Sequence, residues 1–401
     1  MTRPPAHLGI DLMSGAFIGS DPHEAYAWMR HHDPVYYDEA NDLWGVARYH
    51  DIKAVATDTA TYSNAGGVRP KFPPLAMMID FDAPEHVRRR RLVSAGFTPR
   101  RVRAMEEHVR AICDRVIDTV CERGECDFVT EIAAPLPLAV IGDMLGVDEA
   151  DRDDLLRWSE EMLRSQETPT PEILESATHA FIEYTAYMDP VLETRRTSGR
   201  DDDLVGVLVN AGGGDDRLDH DSLIHETLLL LVGGDETTRH VITGGMQALQ
   251  HNPEQLALLR DDPSLLPTAV EEMLRWVTPI KNFVRTTTQK AELGGHTIPA
   301  GAELLLLYPS GNRDEDVFTD PMTFDVTRSP NPHIAFGFGA HFCLGNQLAR
   351  LELKVMFEQL LSRLPDLAMA DGDLVRRPSN FISGFEEMPV TFTPVPPRAA
   401  A

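Results

Sequence analysis

The stretch Phe336-Gly-Phe-Gly-Ala-His-Phe-Cys-Leu-Gly345 constrains this chain more than any other. It sets one cysteine, Cys343, between a glycine-rich turn and an apolar run. Gly337 and Gly339 allow positive φ and a close approach of backbone to a flat ligand. Leu344, Leu348, Leu351, Val355 and Leu360 repeat at mainly helical spacing, so a helix is expected to begin at the cysteine. A thiol there meets backbone N–H groups and the positive end of a helix dipole, both of which favour the thiolate. A shielded thiolate that receives N–H bonds is a metal ligand of tuned donor strength. Two plainer readings compete. An isolated cysteine is most often a small buried hydrophobe. Cys343 and His341 would also make a nucleophile and its base, but such partners normally meet in space, not within one tripeptide. The ten-residue pattern with a helix behind it favours metal ligation.

Three further motifs precede it. Leu228-Leu-Leu-Leu-Val-Gly-Gly-Asp-Glu-Thr-Thr238 lies inside a long helix expected from about Asp221 to Gln250. Adjacent glycines in a helix cost about 1 kcal/mol each relative to alanine. A helix accepts that where something must approach its backbone, or where its ladder is locally opened. An acid and an alcohol, Glu236 and Thr237, follow directly; a hydroxyl fed by a carboxylate supplies protons to a neighbouring reaction. In Asp82-Ala-Pro-Glu-His-Val-Arg-Arg-Arg-Arg91, Pro84 suits a first helical turn, and His86 and Arg90 share a face. In Glu271-Glu-Met-Leu-Arg-Trp276, Glu272 and Arg275 also share a face, a pairing that alone names nothing.

In this order, H-x-x-x-R, G-G-x-E-T, E-x-x-R and F-G-x-G-x-H-x-C-x-G resemble the cytochrome P-450 family over most of the chain. The resemblance implies a mainly α fold with a small β-rich subdomain. It makes Cys343 the axial iron ligand of haem b, with His86, Arg90, Arg285 and His341 holding the cofactor. Glu236 becomes the proton-supplying acid and Thr237 the alcohol. Glu272, Arg275 and Arg328 become a structural trio that locks the segment under the haem. Met77, Met78, Ile79, Val232, Gly233, Asn282, Phe283 and Ile382 are expected to line the substrate pocket. With no reductase segment in the chain, electrons are expected from a ferredoxin and its reductase.

Composition limits the alternatives. The formal charge of −26 argues against nucleic acid and anionic membrane as partners. Arg88, Arg89, Arg91, Arg100, Arg101 and Arg103 form a local basic cluster that would steer an acidic electron donor. No apolar run approaches a membrane span, and Met1-Thr-Arg-Pro-Pro carries no apolar signal region, so a cytoplasmic protein is expected. Cys113, Cys121, Cys126 and Cys343 fit neither a zinc pattern nor a disulfide scaffold, and Cys113 and Cys121 read as inert core. No linker or repeat divides the 401 residues, so one domain is expected over 1–401, with β-rich parts near 30–50, 279–310 and 379–395. The segment from Gly66 to Pro74 cannot hold a regular element and reads as a loop over a pocket. Ser379 to Pro389 reads as a hairpin.

The likeness is narrower still at Ser63-Asn-Ala-Gly-Gly-Val-Arg-Pro, Met77-Met-Ile-Asp, Cys121-Glu-Arg-Gly-Glu-Cys-Asp-Phe-Val and Gly233-Gly-Asp-Glu-Thr-Thr-Arg-His. These are similar to the actinobacterial steroid side-chain monooxygenases. They imply oxidation of the terminal side-chain methyl of cholesterol or cholest-4-en-3-one, onward to the acid. Another long apolar substrate (a fatty acid, terpenoid or macrolide) is the alternative within the family. A peroxygenase would usually carry Arg-Pro where Glu236-Thr237 stand, and a haem sensor has no need of that pair.

Overall fold

The computed structural model describes residues 4–167, 169–201, 203–212, 217–370 and 374–398. Helices dominate it, and His220–His251 is the axis on which they pack. The Asp219 side chain caps that helix by accepting from the Ser222 N–H at 2.8 Å. Helices Pro135–Leu145, Arg152–Glu167, Leu266–Val277 and Asn346–Arg363 pack against it. Close approach needs glycine here. A Cβ on Gly244 would lie 2.7 Å from Val277, and one on Gly245 would lie 3.0 Å from Met273. Pro135–Leu145 is apolar on nearly every face and correspondingly buried, and it ends on Gly146 at φ 70°. Arg152–Glu167 and Pro171–Ser198 form an antiparallel pair over one side of the central helix.

The β-rich part is a five-stranded sheet in the order Val35–Asp38, Leu43–Val46, Glu303–Leu307, Asn282–Thr287 and Tyr62–Ser63. Asn41-Asp42 turns the first pair, with Asp42 at φ 51°. Register pairs Asn282 with Leu307 and Arg285 with Leu304. Alternate residues of a strand face opposite sides, so Phe283 and Arg285 leave by one face and Asn282 by the other.

The C-terminal segment departs from the expected hairpin. Phe385–Glu387 pairs upstream with Val375–Arg376, while Pro389–Thr391 leaves to pair with Glu125–Asp127 and Ala368–Met369. Packing overrides the local pattern. Gly384 lies so close to the central helix that a Cβ there would meet His240 Nδ1 at 2.1 Å. Between these strands, Ile382 bridges to Ile280. Cys113 and Cys121 are buried core residues. Among the described residues no helix is long and apolar enough to cross a membrane.

Glu272 and Arg275 are wholly buried and paired through two bonds of 2.7 Å. Arg275 also donates to the Asn312 and Pro321 carbonyls at 2.9 Å, and Arg328 Nε reaches Glu272 Oε2 at 3.1 Å. The Asp325 N–H and Asn331 amide donate to the same carboxylate. Removing one member of the pair leaves the other a buried charge without its counter-charge, which costs about 3–5 kcal/mol. Glu272→Ala is therefore expected to lower the free energy of unfolding by that amount in equilibrium denaturant titration, whereas Glu292→Ala, on the surface, should leave it unchanged.

Candidate active site

The sharp turn before the last long helix places the cysteine. Gly337 and Gly339 both take positive φ, at 69° and 76°. At Gly339 a Cβ would sit 2.4 Å from the Ala56 carbonyl, so only glycine lets the loop press on that neighbour. The Cys343 N–H donates to Phe336 O at 2.9 Å, and the Asn346 side chain donates to Cys343 O at 2.8 Å. The helix itself starts at Asn346. Arg350 braces the loop from below: it is paired with Glu271 at 2.6 Å and lies over the Phe336 ring at 4.6 Å.

The Gly345 N–H favours the Cys343 thiolate as expected, but it is outweighed. Burial pushes its thiol up, against smaller opposing contributions from the Gly345 N–H, Arg90 and Arg350. A metal ion reverses this, because a coordinating thiol is deprotonated outright.

Above Cys343 opens a cavity of about 560 Å³. Its lining includes Met77, Met78, Ile79, Val232, Gly233, Phe283 and Ile382, together with Thr237, Arg90, Arg285, His341 and Cys343. The Phe283 ring lies 5.6 Å from Phe381 and 6.2 Å from Tyr308, which gives one aromatic wall. His86 and His341 stack at 3.9 Å. Burial holds His341 down to about 2, helped by His86, Arg285 and Arg90, so that ring is neutral. Arg285 is buried with no carboxylate bonded to it among the described residues, and its Nη1 donates to Val284 O at 2.7 Å. Arg90 donates to the Phe342 carbonyl. A soft sulfur donor, two guanidinium groups with no bonded carboxylate among the described residues and the His341 ring, backed by the stacked His86, thus converge on one apolar cavity. That donor set fits a flat metallocycle carrying two carboxylates, with Cys343 on the metal.

The loop over the cavity is tied at both ends by Asp80. Its Oδ1 accepts from the Val68 N–H at 2.9 Å and its Oδ2 from the Leu75 N–H at 2.7 Å. Burial pushes its carboxyl up to about 6 against those two bonds.

Several side chains lie elsewhere than the sequence suggested. Asn282 does not face the cavity: it is wholly buried, accepting from Arg69 Nη1 at 2.9 Å and donating to Asn380 O at 2.8 Å. Its strand alternates, so with Phe283 facing in, Asn282 must face out. Arg89 is no surface charge either. It is buried, bonded to Glu226 at 2.9 Å and to Ser222, while Arg100, Arg101 and Arg103 stay exposed. Nor are the Glu236 and Thr237 side chains together. The Thr237 hydroxyl lines the cavity and donates to Gly233 O at 3.1 Å. The Glu236 carboxylate points behind the helix to Arg239, with His240 Nε2 at 3.4 Å and Arg377 at 3.6 Å. Burial alone would raise its pKa, but Arg239, His240 and Arg377 hold the group down; its neighbour Asp235 is pushed up by burial and by the Glu236 charge. Arg69, Arg350 and Arg377 escaped the sequence reading because each acts through a partner distant in sequence, and Asp80 and His240 because their nearer partners form no recognisable motif. Arg350 alone left a trace, seven residues beyond Cys343 on the helix that follows it.

A thiol on the floor of an apolar cavity, ringed by cationic groups and roofed by one long helix, defines a haem-thiolate protein. The sequence matches the Cytochrome P-450 family over residues 36–373. It is 50% identical over 401 residues to the steroid C26-monooxygenase of Mycobacterium tuberculosis, covering 99% of this chain and 100% of the relative. Identity to a steroid C26-monooxygenase of Mycolicibacterium smegmatis is 47% over 403 residues, covering 100% and 99%. The fold matches a Mycobacterium marinum cytochrome P-450 in complex with pseudoionone at a TM-score of 0.89 and 35% identity, over 98% of this chain and 100% of that one. This chain belongs to the cytochrome P-450 family. It is an oxidoreductase of the monooxygenase type, working with haem iron, dioxygen and external electron donors.

Releasing the loop tether should be visible without any ligand. Asp80→Ala removes two hydrogen bonds worth about 1 kcal/mol each. The Val68 and Leu75 amides are expected to lose at least roughly tenfold of their hydrogen-exchange protection, with the amides of Val241 and Ile242 unchanged.

Proposed function

We propose that this protein hydroxylates the terminal side-chain methyl of cholesterol or cholest-4-en-3-one and carries the oxidation on to the carboxylic acid. The full-length identity to steroid C26-monooxygenases carries the reading, and an apolar cavity reaching from the Gly66–Pro74 loop to Cys343 supports it. Haem b, when bound, supplies the activation of dioxygen. Cys343 is assigned as its iron ligand. His86, Arg90, Arg285 and His341 hold it at its edge. An unactivated methyl group offers no chemical handle, so selectivity comes from presenting the chain end first down a narrow apolar channel.

Protons reach the cavity through Thr237. Its Oγ1 leaves the Gly233 carbonyl and gives its proton to the cavity; the Glu236 carboxylate, after turning from its arginine contacts, takes a proton from solvent water and passes it to Thr237. Arg239 and Arg377 then take back the ionised carboxylate between deliveries. Electrons come from a ferredoxin reduced by its reductase in the cytoplasm. The exposed Arg100, Arg101 and Arg103 offer an acidic carrier its docking charge on an otherwise acidic protein.

Optical titration of the ferric holoenzyme tests the substrate. Cholest-4-en-3-one is expected to give a saturable shift towards high spin and a medium-chain fatty acid none; a response to the fatty acid alone would overturn the steroid assignment. Thr237→Ala is expected to keep consuming dioxygen while product per dioxygen falls by at least roughly tenfold. Unchanged coupling would remove Thr237 from the proton path.

A further inference from the structure

The cavity is apolar along most of its length, and its polar lining groups are mostly committed elsewhere. The Ser165 and Thr178 hydroxyls donate to carbonyls of their own helices, each at 2.7 Å. Asp80 serves the loop. His225 differs. Its Nδ1 lies 2.7 Å from Asp221 O, one turn back on the central helix. A carbonyl can only accept, so Nδ1 donates the proton of this bond, and a ring carrying that single proton presents a lone pair at Nε2. Among the described residues no protein group bonds that nitrogen. The ring is partly exposed and rests against Phe181, with centroids 5.4 Å apart, where the Pro171–Ser198 helix covers the outer cavity.

Its distance from the reacting end follows from the helix. His225 and Thr237 are twelve residues apart on one uninterrupted helix, His220–His251, and both line the cavity. At the rise of an α-helix that separation is about 18 Å. Leu228, Leu229, Val232 and Gly233 fill the lining between them. An extended C27 sterol whose chain end lies level with Thr237 brings its ring-A oxygen level with His225.

We propose that His225 Nε2 accepts a hydrogen bond from the 3β-hydroxyl of the sterol, so that this chain selects a 3-hydroxy sterol over the corresponding 3-ketone. The ketone oxygen carries only lone pairs and meets the Nε2 lone pair without a proton between them. This inference rests on the steroid reading above and adds to it which oxygen function is recognised.

The test is equilibrium binding to the ferric holoenzyme, read optically, for cholesterol, cholest-4-en-3-one and cholest-5-ene, which lacks the oxygen. In the wild type, cholesterol should bind roughly threefold to tenfold more tightly than either of the others, as one hydrogen bond provides. His225→Leu should bring the three affinities within about twofold and leave cholest-5-ene unchanged. His225→Gln, which keeps an acceptor at that position, should keep part of the preference. A ketone bound as tightly as the alcohol by the wild type overturns the proposal, and so does a preference that survives in His225→Leu. An equal loss for all three ligands in His225→Leu overturns it too, since the ring would then act only by packing. Failure of every steroid to bind the wild type, with the fatty acid binding, overturns the steroid reading itself and this inference with it.

Discussion

The buried Glu272–Arg275 pair is the interaction on which the rest of the site depends. Two opposite charges taken wholly out of water are tolerable only when every remaining donor and acceptor finds a partner. Here the partners are backbone carbonyls of Asn312, Pro321 and Thr323, together with Arg328, Asn331 and the Asp325 N–H. Those groups belong to an irregular segment with almost no regular hydrogen bonding of its own. Satisfying the ion pair therefore shapes that segment, and it runs directly into the Phe336–Gly345 loop. Glu271, one residue away, takes up Arg350 on the helix after Cys343. Two adjacent acids on Leu266–Val277 thus hold both the entry to the thiol loop and its exit.

The central helix solves a different problem. It must be rigid enough to define distances across the cavity, yet allow a flat group to lie against it. Gly233 meets that need. No atom lies within 4 Å of where its Cβ would be, so the wall of the cavity there is bare backbone. Gly234, about 100° further round the helix, packs where a Cβ would come within 3.0 Å of Ile141. The adjacent glycines therefore do separate work, one for the cavity and one for packing on Pro135–Leu145.

Much of this was legible in the sequence because the information was local. The Phe336–Gly345 turn needs its glycines, the long helices announce themselves by period, and Asn41-Asp42 marks a strand turn. The pairing of Glu272 with Arg275 needs only three residues of spacing, although their complete burial does not follow from it. Illegible parts depended on partners far along the chain. A run of four arginines looks like solvated surface, yet Arg89 turns inward because Glu226, more than a hundred residues on, meets it in the core. Asn282 was misplaced because side-chain direction on a strand depends on which neighbour faces in, and no local pattern decides that. Phe385–Glu387 pairs upstream because Gly384 must lie flat on His240, a contact between two distant segments.

The acidic pair at the start of the motif shows why proximity in sequence is a poor guide to a relay. Glu236 and Thr237 are neighbours, but on a helix successive residues point about 100° apart. The hydroxyl accordingly meets the cavity while the carboxylate lies among Arg239, His240 and Arg377. That cluster keeps Glu236 ionised, while burial and the Glu236 charge push Asp235 up, so the two acids are distinguished by environment and not by type. An acid held ionised by two arginines is a poor store of protons but a good conductor, because it traps none at neutral pH. In the proposed relay the cost is a rotation away from the arginines at each delivery. The freedom of that rotation, rather than the strength of the acid, would set how fast protons arrive at Thr237.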